Sequence, residues 1–287
     1  MSTIILSALI LAVIGLAAAV ILYTASKKFH VEEDPRIDRI EELLPGANCG
    51  ACGKKGCRDF ACALVKGDSG EALVCPSTSA DTMKIIAGIA GVAPAEAKPK
   101  MAVVRCGGDC SKRAVTADFD GIRSCASLAM ACSGTESCPY GCLGEGDCTS
   151  ACPYDAIHIN PETRLPVVDF SKCVGCGKCS EACPRKLIEI IEKPADRNSI
   201  WVACASHDKG PAAVKACKAS CIGCGKCVRA CPEGAVSVDG FLAHIDQSRC
   251  SGCGECALQC PRKCIEGLSA PDGIKMIFTP ITTAKEA

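Results

Sequence analysis

Twelve residues set the terms for this chain. CVGCGKCSEACP at 173–184 carries four cysteines spaced C-x2-C-x2-C-x3-C, with a proline behind the last. CIGCGKCVRACP at 221–232 and CSGCGECALQCP at 250–261 repeat it, and a stretched version, CPYGCLGEGDCTSACP, fills 138–153. Cysteines two residues apart in repeated triplets cannot readily pair as disulfides, whereas they can converge their sulfurs on a metal centre. The chain therefore has to fold around inorganic sites, with its thiolates kept in a reducing compartment. Of 287 residues 28 are cysteine and only 3% are aromatic, with a single Trp201. So few large side chains leave little material for an ordinary core, and folding is expected to be coupled to loading of the sites. The 32 basic and 32 acidic residues balance, which removes the electrostatic case for a nucleic-acid partner.

The repeated spacing is that of bacterial ferredoxins, in which the fourth cysteine of each run serves the cluster of the other run. Three cysteines on one tight loop cap three irons of a [4Fe–4S] cube, and the fourth points away beside its proline. Applied here, Cys221, Cys224 and Cys227 take Cys260, while Cys250, Cys253 and Cys256 take Cys231. In the first pair, Cys173, Cys176 and Cys179 take Cys152, and the stretched run supplies Cys138, Cys142 and Cys148, completed by Cys183. Zinc sites show two separated C-x2-C knuckles rather than crowded triplets, so iron–sulfur clusters are the expected cofactors.

Residues 2–26, STIILSALILAVIGLAAAVILYTAS, carry no charge. Roughly 20 apolar residues suffice to cross a bilayer core as a helix. A signal peptide would place basic residues ahead of a shorter run, but here Lys27 and Lys28 follow it. The expectation is a transmembrane helix at 1–26, single-pass in the cell (inner, cytoplasmic) membrane, with everything beyond it on the cytoplasmic side. A cleaved leader, or a helix packed on partner membrane subunits through Gly15 and Ala17 to Ala19, is the alternative. The expected fold class is thus a membrane-anchored multidomain chain. A small, mostly helical four-cysteine domain occupies 27–92, with Ile37, Ile40, Leu43 and Leu44 on one helix face ended by Pro45-Gly46, and further helices over RDFACALVKG and TMKIIAGIAGV. A linker follows at 93–100, then a cysteine-rich connecting segment at 101–137 opened by the β-like MAVVRC. Two α+β ferredoxin-like two-cluster units at 138–192 and 218–270 flank a strand–helix connector at 193–217. Asp239-Gly240 signals a hairpin turn, and 271–287 reads as a disordered tail.

Three strings carry a family resemblance: NCGACGKKGCRDFACALVKG with Cys75-Pro76, SCPYGCLGEGDCTSACPYDAI at 137–157, and HDKGPAAVKACKASCIGCGKC at 207–227. They resemble the B subunit of Rnf-type ion-translocating ferredoxin:NAD+ oxidoreductase complexes, in its long form with two ferredoxin-like pairs. The resemblance runs from the N-terminal span to about residue 268. It implies a further [4Fe–4S] cluster on Cys49, Cys52, Cys57 and Cys75. It also implies an electron-transfer subunit, itself non-catalytic, that accepts electrons from reduced ferredoxin. The electrons pass toward iron–sulfur and flavin-carrying membrane subunits, with NAD+ reduced elsewhere and Na+ or H+ moved across the membrane. A free-standing membrane-tethered polyferredoxin and a redox sensor with structural clusters are the alternatives.

Five clusters use twenty cysteines, and eight remain. Cys106, Cys110, Cys125 and Cys132 form a group that a sixth cluster could use, with Cys204 or Cys217 able to replace Cys132. Cys62 and Cys264 are expected to be packing residues. Lys178, Arg185, Lys226, Arg229, Arg262 and Lys263 surround the motifs, where a cationic rim would attract an acidic ferredoxin. The second pair is the expected place for electrons to enter. His30, His158, His207 and His244 show no ligand spacing, and no nucleophile–base arrangement or nucleotide-binding fingerprint is visible.

Overall fold

The structure, a computed structural model, describes residues 2–28, 34–67, 73–93, 99–132, 134–194, 196–269 and 275–276. Helix α1 (Ser2–Lys28) leads. The expected transmembrane helix has to be corrected: among the described residues, no helix is long and apolar enough to cross a membrane. The membrane-anchored part of the expected fold class falls with it. His30, most of the 93–100 linker and nearly all of the tail lie outside the described residues.

The next segment folds on its own apolar face. Helix α2 (Pro35–Leu43) starts at Asp34, whose carboxylate accepts the Arg36 N–H at 2.9 Å, with Pro35 in the first turn where its missing donor is not needed. Helix α3 (Cys57–Lys66) ends at Gly67, which takes the left-handed φ of +66° that favours glycine. Helix α4 (Ala80–Ala90) is capped by Ser79, which accepts the Thr82 N–H. Ile37, Ile40, Phe60, Leu64, Met83 and Ile86 form the core between them. Leu43, expected on that face, is instead 37% exposed. Arg58 on α3 pairs with Asp38 and Glu41 on α2 at 3.1 and 2.6 Å. Such exposed pairs are worth at most about 1 kcal/mol, whereas each buried Ile or Phe contributes roughly 1.5–3 kcal/mol, so burial holds this domain together.

The rest follows one plan twice. The first copy has strand β1 (Lys100–Val104), helices α5 (Cys125–Ala131) and α6 (Asp147–Ser150), strands β2 (Ile157–Ile159) and β3 (Pro166–Val168), helix α7 (Lys178–Ala182) and strand β4 (Ile188–Glu192). The second has β5 (Ser199–Val202), α8 (Gly210–Ala216), α9 (Lys226–Ala230), β6 (Val236–Asp239), β7 (Leu242–Ile245), α10 (Glu255–Leu258) and β8 (Ile265–Leu268), with β9 (Lys275–Met276) beyond it. In each copy a hairpin carries the middle of the unit: Ile157 faces Val168 in β2–β3, and Val236 faces Ile245 in β6–β7. The β6–β7 turn is made by Gly240 and Phe241, both at positive φ. The outer strands close the plan: β1 runs antiparallel to β4 with Val104 opposite Ile188, and β5 to β8 with Val202 opposite Ile265. Strands read in the sequence as connectors are therefore edge strands of the units.

One glycine in each unit makes this docking possible. A Cβ on Gly175 would sit 2.5 Å from Lys100 Cβ, and one on Gly252 would sit 2.4 Å from the Asn198 carbonyl oxygen. Both glycines also have positive φ. Gly177 shares the positive φ but has open space around it. Gly252→Ala is accordingly expected to destabilise the loaded chain by ~2–4 kcal/mol, combining overpacking with backbone strain, against ~1 kcal/mol for Gly177→Ala. Thermal denaturation under anaerobic conditions measures the difference.

Candidate iron–sulfur sites

All 28 cysteines are free thiols. Among the described residues, no three His, Cys, Asp or Glu side chains converge closely enough to hold a single metal ion. The thiols stand apart around voids instead. Five cavities with volumes between about 290 and 390 Å³ are each lined by four or five cysteines. A mononuclear zinc site would draw its sulfurs to ~2.3 Å from one point. Similar voids, each ringed by thiols, suit a polynuclear iron–sulfur cluster. The donor set also fits in its hydrogen bonds: the Ala156 N–H donates to Cys152 Sγ at 3.3 Å, Ala235 to Cys231 at 3.3 Å, Leu187 to Cys183 at 3.4 Å and Ala102 to Cys173 at 3.4 Å.

Cys49, Cys52, Cys57 and Cys75 line one cavity, between Leu44 and Phe60. Asn48, held at φ +46°, turns its side-chain oxygen onto the Cys57 N–H at 2.7 Å and so starts α3 at a ligand. Cys152, Cys173, Cys176 and Cys179 line a second cavity and Cys221, Cys224, Cys227 and Cys260 a third. Cys231 and Cys250 pack against buried Cys256 in the core of the second unit, with Cys253 at the surface. The third cysteine of every run opens a short helix behind a glycine at positive φ, namely Gly146, Gly177, Gly225 and Gly254. That turn is what swings three sulfurs to one side of the loop.

The stretched run behaves differently from its sequence reading. Its cavity is lined by Cys125, Cys142, Cys148 and Cys183, and Cys138 is elsewhere. A shift of 79 residues superposes Cys142, Cys148 and Cys152 on Cys221, Cys227 and Cys231, and puts Glu145 where Cys224 stands. The run is therefore of ordinary length with its second cysteine replaced, and Glu145 turns away to pair with Arg164 at 3.0 Å. Cys125 fills the vacancy from the start of α5. Asp147 places it there, accepting the Cys125 and Ala126 N–H groups with its two carboxylate oxygens, both at 2.9 Å.

The four cysteines grouped between the helical domain and the first unit share no one cavity: Cys125 and Cys132 belong to one small apolar cluster, apart from Cys106 and Cys110. Cys106 lies in a fifth cavity with Cys138, Cys204 and Cys217. Cys110 is exposed and donates to the Glu162 carbonyl at 3.0 Å, and Cys132 ends α5. Cys62 packs on the helical core. Cys264 is buried with its sulfur 3.6 Å from Cys260 Sγ. Its thiol holds its own proton and, by hydrogen bonding, keeps Cys260 and Cys221 below the usual thiol range. Of the basic rim, Lys226, Arg229 and Lys263 are exposed. Arg185 and Arg262 are tied inward, Arg185 to the Gly141 carbonyl and Arg262 to the carbonyls of Cys217, Lys218 and Ser220.

Burial dominates the electrostatics. It pushes Cys142, Cys179 and Cys256 up to about 12 and Cys148 to about 11, with neighbouring cysteines adding to the rise. Four buried thiols cannot ionise together unless a cation compensates them, and bound iron supplies that charge.

Comparison with known proteins agrees with this chemistry. Residues 140–187 and 220–264 match one family described as 4Fe-4S dicluster domain, 172–236 match a second with that description, and 44–76 match an Fe-S cluster family. Over 248 residues the chain is 39% identical to the B subunit of the proton-translocating ferredoxin:NAD(+) oxidoreductase complex of Clostridium ljungdahlii, covering 86% of each chain. The chain belongs to the family of Rnf complex B subunits. Its Rnf relatives include the B subunit of the Na(+)-translocating complex of Acetobacterium woodii, 40% identical over 90% of this chain and 76% of that one. The B subunit of the ion-translocating oxidoreductase complex of Methanosarcina acetivorans is 38% identical over 92% and 98%. The family and the iron–sulfur domains make this an electron-transfer protein.

The Asp147 latch generates a prediction. Asp147→Ala removes both acceptors from the first turn of α5 and is expected to cost ~1–3 kcal/mol, more than the ~1 kcal/mol expected for Ser124→Ala at the helix cap. Thermal melts of the two variants against the parent chain give the comparison.

Proposed function

We propose that this chain is the electron-relay subunit of a membrane-associated ion-translocating oxidoreductase complex, fed by reduced ferredoxin. Five [4Fe–4S] sites would be held by Cys49, Cys52, Cys57 and Cys75; by Cys125, Cys142, Cys148 and Cys183; by Cys152, Cys173, Cys176 and Cys179; by Cys221, Cys224, Cys227 and Cys260; and by Cys231, Cys250, Cys253 and Cys256. A bound [4Fe–4S] cluster accepts and gives up a single electron. The chain's own part is to supply thiolates, to aim backbone N–H groups at them, and to keep neighbouring sites close. The observation that carries this reading is adjacency. Tyr154, beside the second cavity, donates to Ser77 at 2.8 Å, and Ser77 lies 4.0 Å from Cys49 Sγ at the first. Cys148 and Cys179, from two different cavities, are electrostatic neighbours, as are Cys227 and Cys256.

Electrons would enter at the second unit. Cys224 and Cys253 are exposed there, and Lys226, Arg229 and Lys263 lie nearby in the chain as the charges an acidic ferredoxin would meet. Partner subunits would carry the electrons on to NAD+ and use the energy to move Na+ or H+. Cysteine runs spaced for cluster ligation rather than for disulfides support a reducing, cytoplasmic setting for the cluster units.

The test is anaerobic purification of the tagged chain from its native membranes. Other subunits should copurify, and the material should reduce NAD+ with reduced ferredoxin. Cys221→Ser with Cys224→Ser should cut ferredoxin-dependent turnover at least tenfold. A lone iron-rich chain that accepts electrons without reducing NAD+ would instead support a tethered polyferredoxin. Cys125→Ala should lower the iron content by about four per chain, and Glu145→Ala should leave it unchanged.

A further inference from the structure

The fifth cavity lies where the two units meet. Cys106 and Cys138 fall outside every matched family segment, and the four cysteines come from four separate places in the sequence. We propose that Cys106, Cys138, Cys204 and Cys217 hold a further [4Fe–4S] cluster at the junction of the two units. The proposal rests on the cluster reading given above for the other five sites.

The internal repeat makes the site symmetric. The shift of 79 residues that relates the first runs of the two units also carries Cys138 onto Cys217, each four residues ahead of its run. A shift of 98 residues relates the edge strands. It carries Lys100 onto Asn198, the residues that crowd the two docking glycines, and Cys106 onto Cys204. Each unit thus contributes an equivalent pair, one cysteine just past its edge strand and one ahead of its first run. Two copies of a half-site face each other across a cavity of about 290 Å³.

The surroundings suit an anionic occupant. The Cys142 N–H donates to Cys106 Sγ at 3.4 Å, and the Cys221 and Ser206 N–H groups donate to Cys204 Sγ at 3.3 and 3.5 Å. Arg113 lines the same cavity with its side chain 1% exposed. One of its guanidinium nitrogens binds Glu136 at 2.5 Å and the Cys142 carbonyl at 2.8 Å. Its Nε and Nη2 have no partner. Glu136 balances the charge, but two unsatisfied donors on a buried guanidinium are costly unless an acceptor sits against them, and a thiolate-bound cluster supplies one. Gly108 keeps the wall thin, since a Cβ there would lie 2.7 Å from Cys217 Sγ.

Position gives the site a purpose. Cys142 lines the neighbouring cavity of the first unit while its N–H touches Cys106, and Cys221 does the same for the second unit through Cys204. The junction site therefore touches one proposed cluster site of each unit and joins two separate two-cluster units into one row.

Iron and acid-labile sulfide per chain test this on the full-length protein, purified anaerobically, beside Cys106→Ala, Cys138→Ala, Cys204→Ala and Cys217→Ala. The parent chain should hold about 24 iron, each of the four variants about 20, and Cys110→Ala and Cys132→Ala about 24. Circular dichroism identifies any variant that has lost its fold. The parent count needs no variant, so a parent count of about 20 overturns the proposal on its own. So do counts of about 24 in all four variants. A parent count near zero would instead overturn the reading of the five other sites.

Discussion

Ionising buried thiols is the constraint on which the rest of this molecule depends. The sulfurs of Cys142, Cys179 and Cys256 sit where burial and their own neighbours hold the thiol protonated to about 12. Metal binding reverses that balance, because iron replaces the protons and makes the clustered charge favourable. The same substitution explains the thin apolar core. In the second unit the buried cluster of side chains is small aliphatic residues such as Val236, Leu242 and Ile245 interleaved with cysteines. The inorganic group takes the volume that large aromatic residues would otherwise fill, so stability and function draw on the same atoms.

Adjacency is the second consequence. Short loops and short helices keep each ligand run compact, and edge strands β1 and β5 close each unit against its own later strand, β4 and β8. Cys49 is an electrostatic neighbour of Cys176 and Cys179 of Cys148, while Cys142 touches Cys106 and Cys204 touches Cys221. The pattern is a row running from the helical domain through the first unit to the second. A chain that only needed staples would have no reason to order its sites so that each touches the next.

Much of this was legible in the sequence because ligand spacing is a local property. Three intact C-x2-C-x2-C-x3-C-P runs announced their chemistry, and the helical segments read at the Ile37–Leu44 face, RDFACALVKG and TMKIIAGIAGV overlap α2, α3 and α4. What was hidden depended on long-range geometry. Glu145 in a cysteine position disguised an ordinary run as a stretched one, and the cysteine that fills its place, Cys125, arrives from a separate helix latched by Asp147. Lining up the two halves by their repeat, rather than reading each run alone, is the signal that separates Cys138 from its neighbours. MAVVRC and IWVAC looked like connectors because nothing local reveals that their partners are β4 and β8. The N-terminal run shows the opposite failure: its composition suggested a membrane span that no helix among the described residues is long and apolar enough to provide.

The central claim is that the chain conducts electrons delivered by ferredoxin. The most direct measurement is rapid mixing of the anaerobically purified, iron-loaded chain with reduced ferredoxin, following the visible absorbance of the clusters. The account predicts that the chain bleaches as it takes up several electrons, and that raised salt slows the reaction as expected for steering by exposed Lys226, Arg229 and Lys263. A chain that stays oxidised beside reduced ferredoxin, while dithionite bleaches it, would contradict the account.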